Sequence, residues 1–308
     1  PSLEPPMPLL RHGILAIGFA LPLLAAAQLD TPALRGAAAR APDLTFPAKT
    51  SEFSIFTTPS MALYKPAGDG PFPALVLQHQ CGGLGHGKWQ NQSMLEWARR
   101  AVRHGYVALL IDSLGPRGVD SVCMGPQGGV TPMRGVRDAL QAAAYLGTFD
   151  FVDKTRIAHA GYSWGAMVGV GLSGKHWAEA LGDGARFNAA VAFYPVCATL
   201  RPRNGSPFDV LNPDIDRPLL VLMGADDTEA VATECVSRLQ AAKDSGAPFQ
   251  WHVYPDTTHC WDCENLNNFS KTDGRGNHVV YRYDAQVTAD AERRMFEFLD
   301  QALQVKHP

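Results

Sequence analysis

Residues 161–165 read Gly-Tyr-Ser-Trp-Gly, set between an apolar run, Arg156 to Ala160, and a small-residue segment, Ala166 to Leu172, whose composition fits a helix. A strand that turns sharply into a helix holds the residue at its apex in a strained backbone conformation. Side chains at 161 and 165 would collide with the neighbouring elements, which is the steric reason for glycine at both. The strain lifts the Ser163 hydroxyl clear of the sheet, so Ser163 is the candidate nucleophile of a G-x-S-x-G elbow.

From residue 51 onward, strand-like and helix-like segments alternate. The pattern predicts a hairpin at 52–65, strands at 74–79, 106–111, 156–161, 188–194, 218–223 and 249–254, and helices at 91–104, 133–147, 229–245 and 284–303. Antiparallel strands followed by βα repeats imply an α/β chain with a doubly wound, mostly parallel sheet and helices on both faces; with the G-x-S-x-G elbow the expectation is the α/β-hydrolase fold. At 308 residues and 46% hydrophobic content the chain buries such a core in one domain, placed at 51–308. In these sheets ligands bind beyond the carboxyl ends of the strands, and every residue group singled out below follows a strand.

The N-terminal segment reads differently. After Met7 come Arg11 and His12, an apolar stretch from Gly13 to Leu24, and Ala25-Ala26-Ala27, the pattern of a secretory signal peptide, so residues 1–27 are taken as upstream residues plus signal. The apolar stretch is short for a membrane span and Pro22 interrupts it. Residues 28–50, rich in Ala, Pro and Thr, read as a linker with little structure. Export to the periplasm or beyond makes disulfides the default for the six cysteines. A net charge of −3 without a basic run argues against nucleic acid or an anionic membrane surface as a partner.

A serine hydroxyl is a weak nucleophile at neutral pH. It needs an imidazole to take its proton and a carboxylate to fix the tautomer of that imidazole. The chain order of this fold is Ser, then Asp or Glu, then His. Of the histidines after the candidate acids, His252 lies inside a strand, His278 in a polar insertion and His307 in the tail. His259, in the loop after the last strand, is placed to be the base. Asp226 and Asp227 both follow the 218–223 strand, and either fits the acid or a helix cap. Backbone N–H groups must also face the developing oxyanion. The candidates are the amide of Trp164, at the start of the helix, and that of Cys81, where Gly82 and Gly83 permit close approach.

Three further motifs fail on context. Gly82 to Lys88 matches a phosphate-binding loop, but Trp89 stands where Ser or Thr is needed. Gly169 to Gly174 matches a dinucleotide fingerprint but lies inside a helix. Cys260-Trp261-Asp262-Cys263 looks like a redox pair but follows a strand, which favours a structural disulfide. No cluster has convincing metal spacing, and the expectation is no cofactor and no metal.

With those residues assembled, the chain resembles the dienelactone hydrolase family over about residues 60–303. The resemblance is carried by His79-Gln80-Cys81-Gly82-Gly83, Asp112 to Gly118, Gly161 to Gly165, Phe193 to Cys197, and Tyr254 to His259. The family's acid ends a Gly-x-x-Asp string, here Gly224-Ala225-Asp226-Asp227, which selects Asp227 and leaves Asp226 as a cap or support. Founding members carry cysteine where this chain has Ser163, which favours a general carboxylic ester hydrolase over a lactone-specific one. Gln80 stands where the family has glycine, and the segment 260–283 is longer than the resemblance implies and is expected to form one wall of the cleft. Cys197 ends a strand and Cys235 lies on the helix after the next, which pairs them. Cys81 and Cys123 share the catalytic edge, and Cys260 is left with Cys263. The expectation is therefore an exported serine hydrolase acting on a small or polymeric ester, with Trp164 and Trp261 as packing groups or as walls for a flat substrate. The rivals are a serine peptidase or acyltransferase on the same residues, a non-catalytic binding protein, and a thiol-disulfide protein using Cys260 and Cys263.

Overall fold

Most of the apolar runs pair into one sheet, because runs that are apolar at every position must be covered on both faces. A computed structural model describes residues 30–201, 207–244, 246–273 and 276–306. The expected signal segment and Gly274-Arg275 lie outside the described residues.

The sheet has seven strands: β1 (Ala62–Tyr64), β2 (Phe72–Gln78), β3 (Val107–Ile111), β4 (Val152–Tyr162), β5 (Ala189–Phe193), β6 (Leu219–Gly224) and β7 (Phe249–Tyr254). Their spatial order is β1-β3-β2-β4-β5-β6-β7, with β1 antiparallel to β3 and every other pairing parallel. The helices are α1 (Thr31–Ala38), α2 (Gln92–Arg103), α3 (Pro132–Leu146), α4 (Trp164–Ser173), α5 (Lys175–Leu181), α6 (Ala232–Asp244) and α7 (Ala285–Leu303). Alternate residues of each strand serve opposite faces. Ala74 and Val76 of β2 join a core with α1, α3, α4, α5 and α6, while Leu75 and Leu77 join another with α2 and α7.

Two expectations are corrected. The segment 28–50 is not a loose linker from residue 30 onward. Asp30 accepts a hydrogen bond from the Ala33 N–H at 2.8 Å, Pro32 occupies the first turn of α1, and Leu34 and Ala38, four residues apart, are buried. Buried Arg134 of α3 then donates to the carbonyls of Ala38 and Ala41, each at 3.1 Å, and pairs with Asp43 and Asp138. Nor do residues 52–65 form a hairpin. Ala62–Tyr64 pairs with β3, and on the upstream side it meets a single parallel bridge, Thr50 to Leu63, with the Ser51 N–H donating to the Leu63 carbonyl at 2.7 Å. Residues 54–57 turn instead, held by Ser54 N–H to Thr57 Oγ1 at 2.7 Å.

Beyond β7, the segment 260–283, expected to be an insertion, carries a short antiparallel pair, β8 (Ser270–Thr272) and β9 (His278–Val280). All three expected disulfides form: Cys81–Cys123, Cys197–Cys235 and Cys260–Cys263. Among the described residues no helix is long and apolar enough to cross a membrane.

Candidate active site

Ser163 sits at the tip of β4 with φ 50° and ψ −107°, a region non-glycine residues rarely adopt. The flanking glycines permit it. A Cβ at 161 would lie 1.9 Å from the Gly165 carbonyl oxygen, and one at 165 would lie 2.3 Å from that of Gln78. The Ser163 N–H is tied to the Phe193 carbonyl at 2.9 Å, which locks the elbow to β5. Ser163 itself is half-buried and opens to solvent.

The loops after β6 and β7 bring Asp227 and His259 together. Their backbones touch so closely that a Cβ on Gly224 would stand 2.3 Å from the Thr257 carbonyl oxygen, and the Asp226 N–H donates to that oxygen at 3.0 Å. Buried His259 meets Asp227 Oδ2 through Nδ1 at 2.7 Å and Ser163 Oγ through Nε2 at 3.0 Å. A carboxylate on Nδ1 keeps the proton there in the neutral imidazole and leaves the Nε2 lone pair facing the hydroxyl. Burial by itself pushes the imidazolium down, but the charge and hydrogen bond of Asp227, with a further contribution from Glu229, outweigh it, so the His259 pKa lies above its ordinary value.

Asp227, and not Asp226, bonds the backbone ahead of α6. Its Oδ1 accepts from the N–H groups of Glu229 and Ala230 at 2.9 and 2.7 Å, in the turn that precedes α6. Asp226 points outward and pairs with Arg282 at 3.0 Å.

The two N–H groups expected to face an oxyanion are those of Trp164 and Cys81. Trp164 is the first residue of α4, where an N–H has no acceptor within the helix. The Gln80 carbonyl is held by Nδ1 of His79 at 2.6 Å and by the Gly83 N–H at 3.1 Å, so across the trans peptide the Cys81 N–H points the opposite way. His79 is fixed in turn by the Ser113 N–H, which donates to its Nε2 at 3.0 Å. Gln80 does not enter the site. Its side-chain Nε2 donates to Tyr194 Oη at 3.3 Å and its side-chain Oε1 accepts from Asn91 Nδ2 at 2.6 Å.

Several residues around the site carry no motif. Tyr194 follows β5 with φ 43°, sets its ring edge against His259 at 4.6 Å between centroids, and donates to Asp262 Oδ1 at 2.7 Å. Asp262 also accepts from Trp97 Nε1 at 2.7 Å, and burial pushes its carboxyl up. Glu229 approaches His259 from the open side and is gripped by Lys271 and Tyr281 of the insertion. Only the sharp turns after β5 and β6 hint at them in the sequence. Trp164 and Trp261 are both buried and act as packing groups, with Trp261 set among Phe193, Tyr194 and Tyr254. Among the described residues one cluster, Cys260, Asp262 and Cys263, has metal-donor atoms within 4.8 Å of each other, but the disulfide occupies both sulfurs.

The sequence profile of the dienelactone hydrolase family matches residues 60–303. No curated protein matches the chain. Among solved structures, a protein assigned to the dienelactone hydrolases from Klebsiella pneumoniae subsp. pneumoniae superposes with a TM-score of 0.59 at 19% identity, over 78% of this chain and 93% of that one. Esterase 2 of Thermogutta terrifontis, phosphorylated by paraoxon, gives 0.54 at 19% identity, over 78% and 87%. The dienelactone hydrolase-like promiscuous phosphotriesterase P91, from metagenomic libraries, gives 0.51 at 18% identity, over 76% and 88%. At these identities the structures establish a shared fold.

Proposed function

Because the chain belongs to the dienelactone hydrolase family, we propose that it is a carboxylic ester hydrolase using Ser163 as nucleophile, His259 as general base and then acid, and Asp227 to orient His259. The observation that carries this reading is the pair of hydrogen bonds at 3.0 and 2.7 Å that links the three side chains in that order.

In this mechanism Ser163 Oγ attacks the ester carbonyl carbon while Nε2 of His259 takes its proton. The N–H groups of Trp164 and Cys81 receive the oxyanion of the tetrahedral intermediate. As that intermediate collapses, the alcohol leaves with the proton from Nε2 and the acyl group stays on Ser163. Water, deprotonated by the same nitrogen, releases the acid. Asp227 holds the imidazole in the tautomer this needs and stabilises its charged form. Serine at this position is the reason to favour simple esters, small or polymeric, over the lactones of cysteine-bearing relatives. Three disulfides favour an exported protein.

The test is hydrolysis of p-nitrophenyl esters, from acetate to long chains, by the wild type and Ser163→Ala. The expected result is turnover by the wild type and a loss of about 1,000-fold or more in the variant. Unchanged activity in Ser163→Ala overturns the reading.

A further inference from the structure

The insertion at 260–283 does more than border the site. From β8, Lys271 Nζ reaches Glu229 Oε1 at 2.8 Å, and just past β9 the Tyr281 hydroxyl donates to Glu229 Oε2 at 2.8 Å. That same Oε2 lies 3.9 Å from Nε2 of His259, the nitrogen that faces Ser163. Asp227 sits on the opposite nitrogen at 2.7 Å, so the imidazole is bracketed by a carboxylate at each end. The Glu229 side chain is only 16% exposed and that of His259 only 2%, so water screens this charge pair weakly.

We propose that Glu229 is a positioning residue of the reaction, a second negative charge acting on the reacting nitrogen of the base, metered by Lys271 and Tyr281 of the insertion. The inference rests on the reading of His259 as base. The chemistry follows from which state of the imidazole carries charge. When Nε2 accepts the serine proton, a carboxylate 3.9 Å away stabilises the cation that forms. If Glu229 closed on Nε2–H it would compete with the departing alcohol for the proton. Tyr281 donates to the same Oε2 and so competes with Nε2–H for that oxygen. Lys271 offsets part of the Glu229 charge; burial pushes the Glu229 carboxyl up, but His259, Lys271 and Tyr281 together outweigh it and hold it below its ordinary range. Among the described residues the imidazole is also faced by Asp227, by the rings of Tyr194 and Tyr281 at 4.6 and 5.6 Å between centroids, and by the more distant Asp262 bonded to Tyr194.

Opposite substitutions then move the base in opposite directions. Glu229→Gln removes a negative charge, so the acid limb of the kcat/KM profile, which reports the free enzyme's base, moves about one pH unit lower. Lys271→Met leaves Glu229 uncompensated, so the limb moves higher. The measurement is the pH profile with p-nitrophenyl acetate from pH 4 to 9, together with the His259 imidazole titration by nuclear magnetic resonance on the same full-length variants. Shifts of opposite sign in both readouts support the proposal. Activity lost in either variant with the limb and the titration unmoved, or both limbs moving the same way, overturns it and leaves Glu229 a structural residue. Should one variant fail to fold, the sign of the other decides. Activity that survives Ser163→Ala is a separate failure, of the catalytic reading itself, and takes this inference with it.

Discussion

The disulfides Cys197–Cys235 and Cys260–Cys263 are both buried but close very different loops, so removing them separates stability from activity. Cross-linking residues 38 apart removes chain entropy from the unfolded state worth about 4 kcal/mol, while a separation of 3 removes under ~2 kcal/mol. For a domain of this size that corresponds to a fall in melting temperature of roughly 10 °C for Cys197→Ala/Cys235→Ala and roughly 4 °C for Cys260→Ala/Cys263→Ala. Activity orders the other way. Cys260 follows His259 directly and has φ 56°, and its partner Cys263 adjoins Asp262, which anchors the Tyr194 ring against the imidazole. Loosening that loop displaces Nε2 from Ser163, and an error of about 1 Å at a reacting group costs on the order of 100-fold. The Cys197–Cys235 bridge instead joins the segment after β5 to α6 and includes no neighbour of His259 in the sequence. The assay is thermal unfolding beside ester turnover at a temperature where all three proteins are folded. Equal melting losses, or a Cys260→Ala/Cys263→Ala protein that hydrolyses esters within twofold of wild type, refute the reasoning.

His159 of β4 is buried with Nε2 bonded to Gln78 Oε1 at 3.0 Å and Nδ1 unpartnered, and burial lowers its pKa to about 3. The unfolded chain therefore binds a proton below about pH 6.5 that the folded chain refuses. The stability His159 contributes is present above that pH and is lost as pH falls toward 3, at up to ~1.4 kcal/mol per unit. Urea midpoints between pH 4 and 7 are expected to fall less steeply for His159→Gln than for wild type, with His79, also pushed down by burial, keeping some slope; parallel profiles contradict this. Gly224→Ala puts a Cβ against the Thr257 carbonyl and pries the Asp227 loop from the His259 loop, so a fall in turnover of about 100-fold is expected along with a loss of a few kcal/mol in stability. A variant that melts and turns over like wild type shows that the two loops do not depend on that contact.

What the sequence made legible is what local physics controls. The edge strand at 249–254 forms over the predicted residues, and β2 to β6 lie within a few residues of expectation; β3, β5 and β6, covered on both faces, are buried at every position. The elbow was legible because a strained serine needs glycines at fixed offsets. Other features were present but misread: Asp30 before Thr31-Pro32, with Leu34 and Ala38 at helical spacing, is a helix start inside a segment whose composition suggested a linker. The span 52–65 has strand-like residues, yet β1 pairs with β3, a choice made by the sheet edge and not by the turn. Glu229, Lys271 and Tyr281 meet from three separate places in the chain, and no spacing rule links them. The same holds for Tyr194 and Asp262, whose bond bridges 68 residues.

The central claim is that Ser163 is a nucleophile activated by His259, and reaction with a fluorophosphonate probe followed by intact-mass and peptide mapping tests it most directly. The account predicts one adduct per chain, on Ser163, with labelling slowed by orders of magnitude in His259→Ala and absent in Ser163→Ala. A folded wild-type protein that takes up no adduct, or one labelled elsewhere while Ser163 stays unmodified, contradicts it.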